Sequence, residues 1–184
     1  MGRMRRNPAR ITACLRSARS VLIVCHGNII RSAFAARVVK AALNGSPVSI
    51  ASAGLEAVQG RAADPMALRI ANARGIDLDG HTASPLTPEL VAASDVIFLM
   101  EADHVVTMRR RFPEAAGRIF LLTCLAPGIS LEIADPFDGA ASQFHACFDQ
   151  ISRAASPIIR TLRDRAPDTF GCAGSPAADM RGAW

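Results

Sequence analysis

Short apolar runs alternate with segments of helical spacing along this 184-residue sequence, and the alternation limits the folds that it can adopt. The runs are rich in β-branched residues and typical of strands buried on both faces of a sheet. They lie at residues 21–24, 48–50, 96–100 and 119–122. The pattern predicts an α/β fold of three layers, α/β/α, around a four-stranded parallel sheet. Ligands of such sheets bind beyond the carboxyl ends of the strands, so the turn after the first strand is where chemistry is expected.

Helical patterns follow the strands at residues 32–43, 64–75, 101–110 and 142–163. The second helix has a clear start, because Asp64 can cap it and Pro65 suits its first position. Pro157 lies inside the last pattern and is expected to kink or divide that helix.

Positive charge is concentrated at the N-terminus of the chain. The first 20 residues contain six arginines and no acidic residue, whereas the remaining residues are close to neutral. We therefore divide the sequence into a basic N-terminal extension (1–19), an α/β domain (20–165) and a flexible C-terminal tail (166–184). The extension is expected to be solvated and poorly ordered. The alternative is that the arginines contact nucleic acid or anionic lipid. The solvated extension is the preferred interpretation, so no nucleic acid partner is expected.

The five cysteines are scattered, odd in number and without a Cys-x-x-Cys pair. This pattern favours free thiols in a reducing cytoplasm over a disulfide framework or a zinc site. The apolar runs are too short to cross a bilayer, and no signal-peptide pattern follows the N-terminal arginines. We therefore expect a cytoplasmic protein without a membrane span, metal or cofactor, and the oligomeric state stays open.

The turn after the first strand carries residue types suited to holding a phosphate. It reads Cys25, His26, Gly27, Asn28, Ile29, Ile30, Arg31 and Ser32. A helix N-terminus and a compact loop turn several backbone N–H groups toward an anion. Gly27 and Asn28 can adopt the left-handed backbone angles of such a loop. Arg31 can hold two phosphate oxygens at once, and the same positive field favours the nucleophilic thiolate of Cys25.

A buried, unreactive cysteine is the alternative interpretation of Cys25. It is disfavoured because it explains neither Arg31 nor Gly27 in the same turn. The other cysteines have no such context and are expected to be structural: Cys14, Cys124, Cys147 and Cys172.

Over residues 20–164 the sequence resembles the low-molecular-weight protein tyrosine phosphatases, and in particular their bacterial members. The segments that carry the resemblance occur in the family's order: 21–32, 52–54, 75–81, 94–100 and 135–137. The resemblance implies a phosphatase that forms a cysteinyl-phosphate, with Cys25 as nucleophile, Arg31 as phosphate clamp and Asp135 as general acid. It also implies that Ser52 supports the loop. The expected substrate-binding residues are His26, Gly27, Asn28, Ile29, Ile30, Ser32 and Phe137.

Three departures from the family pattern bear on function. Ile30 stands where many members have a second cysteine. This chain therefore cannot form the protective disulfide that those members form on oxidation. His26 replaces a residue that is more often apolar. The chain contains no tyrosine, and Phe137 stands in place of the family's tyrosine near the acid.

The resemblance implies a phosphotyrosine protein as substrate, and a bacterial tyrosine kinase of polysaccharide synthesis is the candidate. Arsenate-reducing relatives of this family carry a pair of redox cysteines just after the third strand. That activity is disfavoured here because residues 100–117 contain no cysteine. Phosphoarginine phosphatases that resemble this family carry a threonine after the loop asparagine. That activity is disfavoured here because Ile29 occupies the position. A non-catalytic phosphate-binding module would need neither Cys25 nor Asp135.

Overall fold

The computed structural model describes residues 8–164, and its centre is a sheet of four parallel strands. The strands are β1 (Ser20–Cys25), β2 (Ser49–Gly54), β3 (Val96–Leu99) and β4 (Ile119–Leu121), in the spatial order β2-β1-β3-β4. The helices are α1 (Pro8–Ser17), α2 (Arg31–Ala42), α3 (Pro65–Asn72), α4 (Pro88–Ala92), α5 (Ala102–Arg111) and α6 (Ala141–Arg163). The predicted α/β fold with a four-stranded parallel sheet is confirmed, whereas α1 and the short α4 have no counterpart in the sequence prediction.

Alternate residues of β1 face two separate hydrophobic cores, as the two-residue repeat of a strand requires. Val21 and Ile23 belong to a core shared with α1, α2, α3 and α6. Leu22 and Val24 belong to a second core shared with α4 and α5. Helices therefore cover both faces of the sheet, which gives the three predicted layers.

The strand order reverses beside β1, and this places the carboxyl end of that strand at a natural binding crevice. The chain passes from β1 outward to β2 and then returns to form β3 on the other side of β1. Cys25 is the last residue of β1, and Glu101 lies two residues beyond the end of β3. The turn chosen from the sequence thus opens into this crevice.

The N-terminal extension is partly helical and packed, so the expectation of a solvated, poorly ordered segment is wrong for residues 8–17. Ile11 and Leu15 lie one turn apart on the same face of α1 and are buried in the first core. Arg10 donates from Nη2 to the carbonyl of Gly117 at 2.7 Å. Residues 1–7 of the extension and the predicted tail (166–184) lie outside the described residues.

Two helix predictions have different outcomes. Asp64 caps α3 by accepting hydrogen bonds from the backbone N–H groups of Met66 and Ala67, and Pro65 is the first helical residue, as predicted. Pro157 does not divide α6, which runs without interruption from Ala141 to Arg163. Buried side chains on both sides of the proline hold the two halves against the first core: Phe144, Cys147, Phe148, Ile151, Ala154, Ala155, Ile158 and Leu162. Within the described residues, no helix is both long and apolar enough to span a membrane.

Candidate active site

The loop between β1 and α2 is built around the buried side chain of Asn28. Its backbone adopts the left-handed conformation, with φ of 55°, as the sequence predicted. Its Nδ2 donates to Ser32 Oγ at 2.8 Å and to Ser52 Oγ at 3.0 Å, while its Oδ1 accepts from the backbone N–H of Ser84 at 2.9 Å. The Asn28 carbonyl accepts a 2.7 Å hydrogen bond from His81 Nε2. The loop conformation is therefore held by hydrogen bonds to α2, to β2 and to the segment at residues 81–84.

Glycine is required at the end of β2 because the loop passes close to it. A Cβ atom at Gly54 would lie 2.6 Å from the carbonyl oxygen of His26 and 2.9 Å from the backbone nitrogen of Asn28. The following residue, Leu55, donates its N–H to the carbonyl of Cys25 at 2.9 Å. Gly27, by contrast, does not adopt the left-handed angles expected from the sequence, and Asn28 alone supplies them in this turn.

The Cys25 thiol lies at the base of the loop and is only 2% exposed. Its Sγ lies 3.0 Å from Ser32 Oγ and accepts the N–H of Asn28 at 3.3 Å. Ser32 Oγ receives the amide proton of Asn28, so its own hydroxyl proton is available to the sulfur or to the carbonyl of Ala53 at 3.3 Å. The Asn28 N–H and the Ser32 hydroxyl therefore both lie within hydrogen-bond distance of the sulfur.

Arg31 is the first residue of α2, and two of the three nitrogens of its guanidinium group have hydrogen-bond partners. The residue is 1% exposed. Nη1 donates to the Glu101 carboxylate and to the carbonyl of Ile133 at 2.9 Å, and Nη2 donates to Asp135. Nε has no hydrogen-bond partner among the described residues. Burial alone would lower the pKa of Arg31, but the negative charges of Cys25, Asp135 and Glu101 outweigh it and raise that pKa.

Glu101 and His104 belong to the site although sequence reasoning missed both of them. Glu101 stands just before α5, and His104 lies one turn later with Nε2 3.9 Å from Glu101 Oε1. Burial lowers the pKa of His104, and the positive charges of Arg31 and His26 act in the same direction. A useful signal was present in the sequence, because an acidic residue just after a predicted strand points to the carboxyl edge of the sheet.

Asp135 and Phe137 lie on the segment that precedes α6. The Asp135 carboxylate binds Arg31 through Oδ2 and accepts the N–H of Phe137 through Oδ1 at 3.2 Å. The Phe137 ring is 44% exposed, and the Arg61 guanidinium lies 5.7 Å from its centroid. The Asp135 carboxylate therefore lies beside Arg31, and the Phe137 ring lies beside Arg61.

These residues surround a pocket of ≈ 260 Å³. The lining residues are Cys25, His26, Gly27, Ile29, Ile30, Arg31, Glu56, Arg61, Asp135 and Phe137. Two residues expected to bind substrate, Asn28 and Ser32, are fully buried and do not line the pocket, because their side chains hold the loop from behind together with Ser52. Glu56 and Arg61 were not expected there. Among the described residues, no group of three His, Cys, Asp or Glu side chains could hold a metal ion.

Comparison with known proteins identifies relatives of this chain in sequence and in fold. A family model described as low molecular weight phosphotyrosine protein phosphatase matches residues 20–167. The chain is 37% identical to the probable low molecular weight protein-tyrosine-phosphatase AmsI of Erwinia amylovora over 143 residues, which cover 78% of this chain and 96% of the relative.

Two solved structures of phosphatases share the fold of this chain. The tyrosine phosphatase Wzb from Escherichia coli K30, in complex with sulphate, has a TM-score of 0.74 and 30% identity, covering 79% of this chain and 99% of that one. The YwlE arginine phosphatase from Geobacillus stearothermophilus has a TM-score of 0.72 and 29% identity, covering 79% and 93%. Since the family match spans most of the sequence, this chain belongs to the low molecular weight phosphotyrosine protein phosphatase family and is an enzyme that hydrolyses phosphotyrosine.

Proposed function

We propose that the enzyme cleaves phosphotyrosine in proteins through a phosphorylated intermediate on Cys25. The observation that supports this most directly is the arrangement of Arg31. Glu101 and Ile133 hold its Nη1, whereas the edge formed by Nε and Nη2 carries only the contact to Asp135. That edge can donate two parallel hydrogen bonds to a phosphate, and the donors of the Cys25 loop lie beside it.

In the first step, the Cys25 thiolate attacks phosphorus. The S–P bond forms as the bond from phosphorus to the tyrosine oxygen breaks, and negative charge is spread over the three equatorial oxygens. Arg31 and the loop N–H groups stabilise that charge. Asp135 gives its proton to the departing phenolate, which leaves as tyrosine.

In the second step, the Asp135 carboxylate accepts a proton from water as the water oxygen attacks the cysteinyl-phosphate. The P–S bond breaks, and the products are inorganic phosphate and the Cys25 thiolate. The Ser32 hydroxyl, 3.0 Å from the sulfur, and the Asn28 N–H stabilise the departing thiolate. Asp135 thereby regains the proton that it needs for the next cycle.

The walls of the pocket support a flat aryl substrate. Ile29 and Ile30 contribute apolar surface beside the loop, and Phe137 offers an exposed ring against which a phenol can pack. We include in the proposal a cytoplasmic location and a bacterial tyrosine kinase of polysaccharide synthesis as the protein substrate. The free cysteines of the described residues support the location, and the likeness to AmsI and Wzb supports a bacterial phosphotyrosine substrate.

Turnover by the purified enzyme tests the proposed function. We expect release of phosphate from a phosphotyrosine peptide, with little release from matched phosphoserine and phosphoarginine peptides. Cys25→Ser should remove the activity, whereas Cys124→Ser, a change at a buried cysteine outside the pocket, should retain it. Faster turnover of phosphoarginine than of phosphotyrosine would assign the enzyme to the arginine phosphatase activity instead. Reduction of arsenate without phosphatase activity would also contradict the proposal.

A further inference from the structure

Arg61 lines the pocket that contains Cys25 and Arg31, but the proposed chemistry gives it no role. The residue is exposed, and within residues 8–164 its guanidinium forms no ion pair with a carboxylate. Its one described side-chain interaction is the contact with the ring of Phe137, at 5.7 Å from the centroid. The full set of guanidinium donors therefore faces solvent at the mouth of the pocket.

The main chain holds Arg61 in a defined position. Its N–H donates to the carbonyl of Val58 at 3.1 Å, and its carbonyl accepts from the N–H of Ala83 at 2.7 Å. The next residue, Ala62, forms an antiparallel bridge with Thr82. The backbone of Arg61 is hydrogen-bonded on both sides, and the ring of Phe137 lies against its guanidinium. Little conformational freedom therefore remains to be lost when an anion binds.

We propose that Arg61, supported by Phe137, is a subsite for an anionic side chain that flanks the phosphotyrosine of the substrate. The carboxylate of Asp or Glu and the phosphate of a second phosphorylated residue share the required chemistry, since a guanidinium can donate two parallel hydrogen bonds to either. This inference rests on the proposed phosphotyrosine activity and names a substrate feature that the activity alone does not require.

Glu56 makes the preference depend on position. It is exposed and lines the same pocket, yet it forms no ion pair with Arg61 in the described part of the chain. An acidic side chain near Arg61 is attracted, whereas one near Glu56 is repelled. The subsite therefore favours acidic groups at particular positions and does not favour acidic peptides in general.

The test is a series of phosphotyrosine peptides with alanine flanks. Glutamate, phosphotyrosine or lysine is placed singly at each of the neighbouring positions on either side, and kcat/KM is measured for each peptide. We expect glutamate to raise kcat/KM over alanine by about 2–5-fold at one or two positions, the worth of an exposed ion pair. The second phosphate should raise it further, lysine should lower it, and added salt should reduce all these differences.

The ratio of kcat/KM between acidic and neutral peptides is compared within each variant, so that a general loss of activity cancels. Arg61→Gln should bring the ratio to about 1, since an uncharged side chain offers no ion pair. Arg61→Lys should keep part of it, and the matched control Arg69→Gln, an exposed arginine outside the pocket, should keep all of it. Retention of the full ratio in Arg61→Gln, or equal kcat/KM for all peptides, would overturn the subsite alone. Absence of turnover on every aryl phosphate would overturn the proposed function and the subsite with it.

Discussion

Arg31 donates to Asp135 through Nη2, one of the two nitrogens on the edge that a phosphate would occupy. Nη1 is fixed separately by Glu101 and the carbonyl of Ile133. A phosphate that binds the Nε–Nη2 edge therefore displaces the Asp135 carboxylate without disturbing the anchor of the arginine. In the proposed mechanism, Asp135 is held beside the phosphate position before substrate arrives, and the binding of substrate frees its carboxyl group for proton transfer.

The first prediction concerns Cys25 as nucleophile. Cys25→Ser should abolish hydrolysis of phosphotyrosine, because a serine hydroxyl is a much weaker nucleophile than a cysteine thiol. Binding of inorganic phosphate should persist, since Arg31 and the loop N–H groups are unchanged. Activity assays and calorimetric titration with phosphate measure the two properties. Near wild-type turnover in Cys25→Ser would eliminate the mechanism.

The second prediction assigns Glu101 a positioning role for Arg31. Glu101→Gln keeps the side-chain shape but removes the charge that holds Nη1, so the guanidinium should lose its alignment with the phosphate. We expect kcat/KM to fall by about 10²-fold, the cost of misplacing a catalytic group by roughly 1 Å. Affinity for inorganic phosphate should weaken in parallel, because the same edge of Arg31 binds it.

Two variants separate positioning by Glu101 from a general effect of charge. Glu101→Asp should recover part of the activity, since it restores the negative charge at a slightly greater distance. Glu114→Gln, a change at an exposed glutamate outside the pocket, should have no effect. Unchanged kcat/KM and phosphate affinity in Glu101→Gln would show that Ile133 and Asp135 suffice to hold Arg31.

The sequence could predict the fold and the loop because both depend on local patterns. Alternating strands and helices determine the layers, and the left-handed turn at Asn28 follows from the residue type. The role of Glu101 could not be predicted with the same directness, since it requires knowing that β3 pairs with β1. The contact that makes Gly54 necessary is likewise visible only after β2 lies beside the loop. The packed face of α1 escaped notice because arginines surround its two buried residues.

The third prediction concerns oxidation of Cys25. Peroxide should convert the thiolate to a sulfenic acid and then to irreversible products, because Ile30 offers no neighbouring thiol for an intraloop disulfide. Burial raises the pKa of Cys147 to about 12, so that thiol stays protonated and is a poor partner. We expect dithiothreitol to restore little activity after prolonged treatment. Full recovery that persists in Cys14→Ser and Cys147→Ser would contradict this expectation.

The fourth prediction follows from the buried imidazole of His104. Burial lowers its pKa in the folded protein below 6.5, and Arg31 and His26 act in the same direction, which outweighs the opposing effect of the Glu101 and Asp135 carboxylates. The unfolded state therefore binds the proton more readily, and the folded state loses stability as pH falls below about 6.5. Chemical denaturation between pH 7.5 and pH 5 should show a smaller decline in unfolding free energy for His104→Gln than for the wild type. His145→Gln, a change at an exposed histidine, should decline as the wild type does, and equal slopes for all three proteins would refute the assignment.

The last prediction separates Asp135 as general acid from an ordinary loop aspartate. A phenolate of high pKa is a poor leaving group and gains much from a proton, whereas a strongly activated aryl group gains less. Asp135→Asn should therefore slow cleavage of phosphotyrosine by about 10²–10⁴-fold, and the loss should shrink as the leaving group improves.

The variant also tests the ion pair with Arg31, because asparagine removes the carboxylate that competes with phosphate for Nη2. Inorganic phosphate should bind Asp135→Asn at least as tightly as it binds the wild type, even as hydrolysis slows. The measurement is a series of aryl phosphates at several pH values, under conditions where phosphorylation of Cys25 limits the rate. If both proteins depend equally on the leaving group, Asp135 is not the acid, and Asp138 on the same loop becomes the residue to test.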